Sequence, residues 1–287
     1  MTLNHVVQDE DSAQLSATEE DTRRALLTKA VRTGVPVRKT FVQTPRSMAA
    51  NPNDLSAPLS AFVRNRDPRA LHAYLMALAV TSSGDGADGW STTHPIMVWA
   101  RAFGTTRDAG QSSAANAVSK ILHRLEERRL IERARRGRAR KIRVTLLRED
   151  GSGEPYTRPH GRAVAEQFLT LDHAFWLDGW CDRLKLPGLA MLLVALRETG
   201  TSKPSFMLPT EHVPRWYGWS ADTAERGIEE LVEHDLLLKV HRYRKEPLSA
   251  KGVGRVNQYY PLAPFGVTST PEARLAAALT AGTEITE

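Results

Sequence analysis

Cysteine is almost absent from this chain of 287 residues, where Cys181 is the only one. A single cysteine excludes an intramolecular disulfide and a metal site built from several thiolates, and it is typical of a reducing compartment. Long hydrophobic runs are also missing, since Leu75–Val80 and Leu189–Leu196 are far shorter than the ~20 residues that span a bilayer. No basic and then apolar segment follows Met1, so we expect a cytoplasmic, nucleoid-associated protein without a signal peptide.

Motifs of catalysis and metal binding are missing as well. The sequence contains no P-loop, no His-Glu-x-x-His and no acidic cluster at metal-ligand spacing. The pair Asp172-His173 precedes several aromatic residues, and helix capping by Asp172 explains it better than catalysis does. We therefore predict a protein that is not an enzyme, that uses no cofactor, and that has neither a membrane partner nor an evident small-molecule ligand.

The two ends of the chain have the composition of tails. Residues 1–20 contain five acidic residues and no Lys or Arg, with few large apolar side chains, which predicts disorder. A short basic helix is expected within 21–32, and the four prolines of 34–58 predict an extended arm. We thus expect a flexible tail and basic arm over 1–58, and a second tail with a short alanine-rich helix over 267–287.

Between the tails the sequence contains an internal repeat, with one copy in residues 59–148 and the other in 166–266. Each copy has an apolar helix, a short extended segment, a helix that follows a proline, a longer amphipathic helix, and two strands joined by a basic turn. The second helix of each copy ends in an aromatic residue and a glycine, a helix C-cap pattern. The segment 149–165 between the copies contains three glycines and two prolines and predicts a linker.

This order of elements, with the aromatic-glycine pairs Phe103-Gly104 and Tyr217-Gly218 and the stretch Leu125–Ile131, resembles winged-helix DNA-binding proteins. It is most similar to actinobacterial two-winged-helix proteins encoded in genomes, plasmids and phages. The resemblance covers most of residues 60–265. It implies an α+β, mainly α-helical chain with two tandem winged helix-turn-helix domains, double-stranded DNA as partner, and room for a homodimer.

The densest charge lies in Arg128–Arg148, which holds ten Lys or Arg and one acidic residue in 21 positions. Cations at this density bind DNA phosphates and release their counterions. The run spans the turn of a predicted hairpin, which favours a DNA-contacting wing over a merely solvated surface. The predicted DNA contacts of this hairpin are Arg133, Arg135, Arg136, Arg138, Arg140 and Lys141.

The long helix before that hairpin, predicted over Ser112–Arg129, is the candidate recognition helix. The N-terminal half of such a helix enters the major groove, where polar side chains can hydrogen-bond to base edges or phosphates. Opposite its apolar face, the predicted contacts are Ser112, Ser113, Asn116 and Lys120.

The second copy differs, because its long helix carries six acidic residues and one arginine. Phosphates repel such a helix, yet the hairpin that follows it is basic. Two interpretations stay open here: DNA binding mainly through the wing, or a dimerisation or partner module. If this copy binds DNA, the predicted contacts are Thr223, Arg226, Arg242, Arg244 and Lys245.

Three functions are compatible with this pattern. The first is a sequence-specific transcription regulator, and the second is a plasmid or phage replication initiator or maintenance factor with the same two modules. The third is a protein-interaction scaffold that uses the acidic second domain. Fold alone does not choose among them.

Overall fold

The computed structural model describes residues 16–83, 86–107, 110–137 and 141–266. An α+β fold is confirmed. The helices are α1 (Glu19–Leu27), α2 (Pro58–Arg64), α3 (Pro68–Thr81), α4 (Ile96–Ala102), α5 (Gln111–Glu127), α6 (Ala174–Leu177), α7 (Trp180–Arg183), α8 (Leu186–Glu198), α9 (Val213–Tyr217) and α10 (Ala221–Glu233). The strands are β1 (Gly34–Arg38), β2 (Ser91–Pro95), β3 (Ile131–Arg136), β4 (Lys141–Leu146), β5 (Phe168–Asp172), β6 (Phe206–Met207), β7 (Leu237–Lys245) and β8 (Val253–Pro261). The tails predicted over 1–15 and 267–287, including the alanine-rich helix, lie outside the described residues.

The two copies of the repeat have the same order of elements and the same sheet. In the first copy α3, β2, α4, α5, β3 and β4 follow one another, and the antiparallel sheet has the order β2-β4-β3. In the second copy α8, β6, α9, α10, β7 and β8 follow one another, and the sheet has the order β6-β8-β7. In both, the last strand of the copy lies in the middle of the sheet.

The first helix of each copy forms the centre of its core. Both α3 and α8 are apolar around most of their circumference, and a helix of that kind is stable only when it is covered on all sides. Tyr74 and Leu75 of α3 and Leu189 and Leu193 of α8 are completely buried. Each copy therefore packs its remaining helices and its sheet around one apolar helix.

The N-terminal segment is folded where the sequence predicted disorder up to residue 20. Thr18 and Asp21 form a capping box that starts α1, in which each accepts a hydrogen bond from the other's backbone N–H. Leu26 and Leu27 are buried in the core, and the buried Arg23 donates hydrogen bonds to Asp182 and to the carbonyl oxygen of Ala102. The prediction failed for residues 16–20 because an acidic first turn is also what a helix N-terminus favours.

The short helix predicted within 21–32 is present as α1, and the arm predicted as extended over 34–58 is ordered by tertiary contacts. Strand β1 pairs antiparallel with β5, from Gly34 opposite Asp172 to Arg38 opposite Phe168. Strand β1 precedes the first copy and β5 lies at the start of the second, so this two-stranded sheet fixes the arm to the second copy. Such pairing was invisible in the sequence because each strand is only five residues long and has its partner more than 100 residues away.

The predicted linker, 149–165, is anchored rather than free. Glu149 is completely buried and pairs with Arg38, and Tyr156 is buried beneath the ring of Trp90. The glycines there serve turns, since Gly151, Gly153 and Gly161 have positive φ angles. The composition thus identified a connection between the copies, although its charged first residue belongs to the interior.

The helix C-caps predicted from the aromatic-glycine pairs are confirmed. Gly104 and Gly218 have φ angles of +70° and +83°, the left-handed conformation that glycine adopts without strain. At Gly218 a Cβ atom would lie 2.7 Å from Ser56 Cβ, because the arm packs against this turn of the second copy. In the described ranges, no helix has both the length and the hydrophobicity of a membrane span.

Candidate nucleic-acid interface

Helix α5 has one buried face and one exposed polar face. Ala114, Val118, Ile121, Leu122 and Leu125 are buried at helical spacing against the first copy's core. All four predicted contact residues lie on the opposite face, where their side chains are exposed: Ser112, Ser113, Asn116 and Lys120. The structure therefore brings these four residues together along the N-terminal half of one helix.

Strand β3 lies alongside α5, and Arg133 holds the two together. The backbone N–H of Arg133 donates to Glu126 Oε1 (3.0 Å), and its guanidinium donates to the carbonyl oxygen of Ser119 (2.8 Å) and pairs with Glu126 Oε2 (2.5 Å). Because Ser119 lies two helical turns before Glu126, the side chain of Arg133 reaches back along α5 from the C-terminal part of the helix towards its middle. Arg133, predicted to contact DNA, is instead occupied within the protein and positions the hairpin.

Arg135 extends this surface. It lies two residues after Arg133 on β3, so its side chain points to the same face of the strand, towards α5. Lys141 points to the other face, opposite Arg136. Arg135 and Lys141 are both exposed and have no ion pair with a described residue. Only the backbone of Arg136 is described, and Arg138 and Arg140 lie outside the described residues.

Four arginines of the basic run Arg128–Arg148 are committed to contacts inside the protein. Arg128 pairs with Asp67, Arg133 with Glu126, and Arg148 with Asp150 and Glu166. Arg143 donates to the hydroxyl of Ser91 and the carbonyl oxygen of Asp88. The number of Lys and Arg residues in this run therefore overestimates the positive charge that is available to a ligand. Part of the run holds the domain together, and only the remaining cations are at the surface.

Asp67 is the partner of Arg128 from this group, and it also binds Arg124. It caps α3, and it accepts hydrogen bonds from Arg124 (2.8 Å) and Arg128 (2.9 Å). Burial by itself would raise the pKa of Asp67, but the two guanidinium groups outweigh burial and hold the pKa below its usual value. Arg124 and Arg128 therefore fix α5 to the start of α3.

The turn before α5 is fastened by the N-terminal helix. Glu19 of α1 accepts hydrogen bonds from the backbone N–H (3.1 Å) and the hydroxyl (2.8 Å) of Thr106. Arg107 in the same turn pairs with Glu19 (3.4 Å) and with Asp182 (2.9 Å) of α7. These bonds set the start of α5 relative to both α1 and the second copy, a role that the sequence did not reveal.

In the second copy, α10 begins with a conventional cap, and several of its acidic side chains have structural partners. Ser220 accepts a hydrogen bond from the N–H of Thr223, and the two hydroxyl groups lie 2.8 Å apart. The predicted contact Arg226 is exposed and pairs with Asp222 one turn earlier. Glu230 accepts the N–H groups of Lys185 (2.7 Å) and Gly188 (3.1 Å), which caps the start of α8.

The hairpin of the second copy is longer than that of the first, because β7 and β8 pair over nine residues each. Of the predicted contacts on it, Arg242 donates to Gln258 Oε1 (3.0 Å), Arg244 lies 3.7 Å from Glu246, and Lys245 is exposed. The exposed cations Lys239, Lys251 and Arg255 accompany them. The hairpin therefore carries six Lys or Arg and one acidic residue between positions 237 and 261.

The chemistry of the remaining polar groups is structural. Cys181 is buried beside the guanidinium of Arg23 (3.2 Å), and burial raises the pKa of its thiol to about 11. Asp172, predicted as the helix cap, lies one residue before the N-cap His173, and its carboxylate accepts the N–H of Ala174 (2.7 Å). No cluster of His, Cys, Asp and Glu in the described ranges has the arrangement of a metal site.

Comparison of the chain with protein-family models, curated proteins and solved structures finds no match.

Proposed function

We propose that this protein binds double-stranded DNA through two tandem winged helix-turn-helix domains. In each domain the three helices and the antiparallel sheet follow the winged-helix order, with α5 and α10 as the third helices and the β3-β4 and β7-β8 hairpins as wings. The first domain supplies the sequence-reading contacts, and its wing grips the adjacent backbone or minor groove.

One observation carries this proposal: Arg133 ties β3 to α5, so that the exposed polar face of the helix and the exposed Arg135, on the same strand face as Arg133, belong to one surface. Asn116 can bond to an adenine and Lys120 to a guanine, while Arg135 reaches a phosphate beside them. No acidic residue of the described second copy pairs with this hairpin. The surface thus combines positive charge with hydrogen-bonding groups on a helix narrow enough for the major groove.

The experiment is a salt titration of DNA binding by charge-matched variants. Each phosphate contact contributes about 0.9 to the slope of log affinity against log salt. We expect Arg135→Ala and Lys141→Ala each to reduce the slope by about this amount. Arg143→Ala removes the same charge from the same hairpin, but Arg143 is tied to Ser91, so the slope should not change. Equal effects of all three variants would contradict the assignment.

The cellular role within this function follows from where the protein binds. A regulator of transcription would occupy promoters, whereas a replication initiator or maintenance factor would occupy repeated sites near an origin. Sequencing of the DNA that is cross-linked to the protein in cells separates the two. Absence of any enriched DNA would favour a scaffold, to which the exposed acidic side chains of α10, such as Glu229 and Glu233, would contribute.

A further inference from the structure

The outer half of the second hairpin projects from its domain as a two-stranded ribbon. Strand β6 pairs with β8 only at Tyr259 and Gln258, so residues 241–245 and 253–257 have no third strand. At roughly 3.3 Å per residue, five residues extend about 16 Å. Two-stranded ribbons are among the elements with which proteins contact the major or the minor groove of DNA.

The tip of this ribbon is an ordered turn rather than a loose loop. The N–H of Glu246 donates to the carbonyl oxygen of Gly252 (2.9 Å), and Ser249 donates to Glu246 O through both its N–H (2.9 Å) and its hydroxyl (3.0 Å). Gly252 has a φ of +64°, which favours glycine, and donates back to Ser249 O (3.0 Å). The turn is therefore defined by its own backbone and side-chain hydrogen bonds.

That ordered turn presents an apolar side chain to solvent at its apex. Leu248 follows Pro247 and is fully exposed, with a relative accessibility of 102%. Two more apolar side chains lie on the projecting half, Tyr243 (72% exposed) and Val253 (50% exposed). Tyr243 and Val253 share one face of the ribbon, since Tyr243 pairs with Arg255 and Lys245 with Val253. Exposed apolar side chains that are grouped on one projecting element, as these two and Leu248 are, mark an interaction site.

Charge identifies the class of that partner. Lys245 and Lys251 flank the turn, and Arg255 lies opposite Tyr243 on the next strand. The one acidic residue of the tip, Glu246, faces Arg244. Cations along both edges of a narrow ribbon with an apolar apex match the backbones and the stacked bases of a DNA minor groove, where Leu or Pro side chains act as wedges.

Resting on the proposed DNA binding, we propose that this ribbon enters the minor groove and inserts Leu248 between two base pairs, which bends the duplex. The cations of the ribbon follow the two phosphate backbones, and the apex unstacks one base step. The second domain is then a DNA-deforming module, which explains why its third helix can be acidic: the wing and not α10 makes the close approach.

The test uses the full chain and a duplex of about three helical turns, with fluorescent donor and acceptor at its ends, either intact or nicked at the centre. A nick removes most of the free-energy cost of unstacking, so the chain should bind the nicked duplex about tenfold more tightly than the intact duplex. Bending should raise the energy transfer between donor and acceptor in both duplexes. Leu248→Ser should abolish the preference and the bending, while affinity for the intact duplex stays within about twofold. Its control, Val31→Ser, changes another exposed apolar residue (90% accessible) and should behave like the parent. Circular dichroism melting verifies that both variants are folded.

The outcomes separate the two proposals. If the parent chain binds DNA but neither bends it nor prefers the nick, insertion is wrong and the proposed function stands. A parent-like Leu248→Ser variant would likewise overturn insertion. If no duplex is bound, both proposals fail, and binding of the chain to phosphatidylserine vesicles would then identify a membrane surface as the partner of the ribbon.

Discussion

Arg38 and Glu149 form an ion pair in which both side chains are completely buried, although 111 residues separate them in the chain. The backbone N–H of Arg38 donates to the same carboxylate, and its guanidinium also reaches Thr157 (2.8 Å) and Glu166 (2.7 Å). The arm before the first copy is thereby fixed to the segment that connects the copies. The relative placement of the two copies depends on this pair as much as on the β1-β5 sheet.

Arg38→Met should destabilise the whole chain. Removal of one partner leaves the other charge buried without compensation, which costs about 3–5 kcal/mol in the free energy of unfolding. Urea denaturation followed by tryptophan fluorescence measures this. The control is Arg24→Met, which breaks an exposed pair with Glu20 and should cost less than about 1 kcal/mol. The double variant Arg38→Met, Glu149→Leu should recover part of the loss; equal effects of Arg38→Met and Arg24→Met would contradict the structural role.

Glu19→Ala should loosen the turn before α5. The variant removes the acceptor of the Thr106 N–H, so hydrogen exchange in residues 103–107 should become faster while the core of α3 keeps its protection. DNA affinity should also fall, because the start of α5 is no longer fixed. Glu20→Ala changes the neighbouring acid, whose partner is the exposed Arg24, and serves as the control. Unchanged exchange at Thr106 in Glu19→Ala would show that α1 does not hold this turn.

Asn116→Ala should weaken binding to the cognate site by about 1–3 kcal/mol and leave binding to random duplex nearly unchanged. The physical reason is the loss of a hydrogen-bonding pair to a base edge, with no change in charge. His123→Ala, on the exposed face nearer the C-terminal end of α5, is the comparison and should have a smaller effect. Competition binding with cognate and random DNA measures both. Equal losses on the two DNAs would mean that Asn116 does not read a base.

His72 should make the protein less stable in mild acid. Its Nε2 atom is buried without a hydrogen-bond partner, and burial lowers the pKa of the ring from 6.5 to about 4. Below pH 6.5 the unfolded chain therefore binds a proton that the native chain does not bind. The stability is fully present above that pH and decreases as pH falls towards 4, by an amount on the order of 3 kcal/mol.

Urea denaturation at several pH values between 7.5 and 4.5 measures this dependence. His72→Gln should show a shallower loss of stability than the parent, since the titrating ring is gone. His123→Gln makes the same substitution at an exposed histidine of α5 and serves as the comparison variant. An identical slope in His72→Gln and in the parent would show that His72 does not contribute.

The helices of each repeat were readable from the sequence because their signals are local. The spacing of Val118, Ile121, Leu122 and Leu125 fixes the buried face of α5, and the ends predicted for this helix, Ser112 and Arg129, lie within two residues of the observed ones. The same spacing placed Ser112, Asn116 and Lys120 on the exposed face. Position on a helix face follows from 3.6 residues per turn and needs no knowledge of the rest of the fold.

The role of each cation could not be read in this way. Arg133 and Arg135 are the same residue type on the same strand face, yet one is bonded to Ser119 and Glu126 and the other is exposed. The difference arises because Glu126 and the carbonyl oxygen of Ser119 lie within reach of Arg133, whereas no described residue pairs with Arg135. Leu248 could not be singled out from the sequence either, because an apolar residue in a predicted hairpin is normally expected to be buried. Its full exposure became evident only from the conformation of the turn.

Local patterns were enough to predict the repeat, the apolar helices at the two cores, the exposed face of α5 and the glycine caps, because each depends on neighbours within one or two helical turns. Contacts between distant segments were needed to establish that α1 and β1 are folded parts of the molecule, that Arg38 and Glu149 meet, and which arginines remain exposed. Those outcomes depend on pairing between residues far apart in the chain, and the burial that makes such pairing strong exists only after the whole chain has folded.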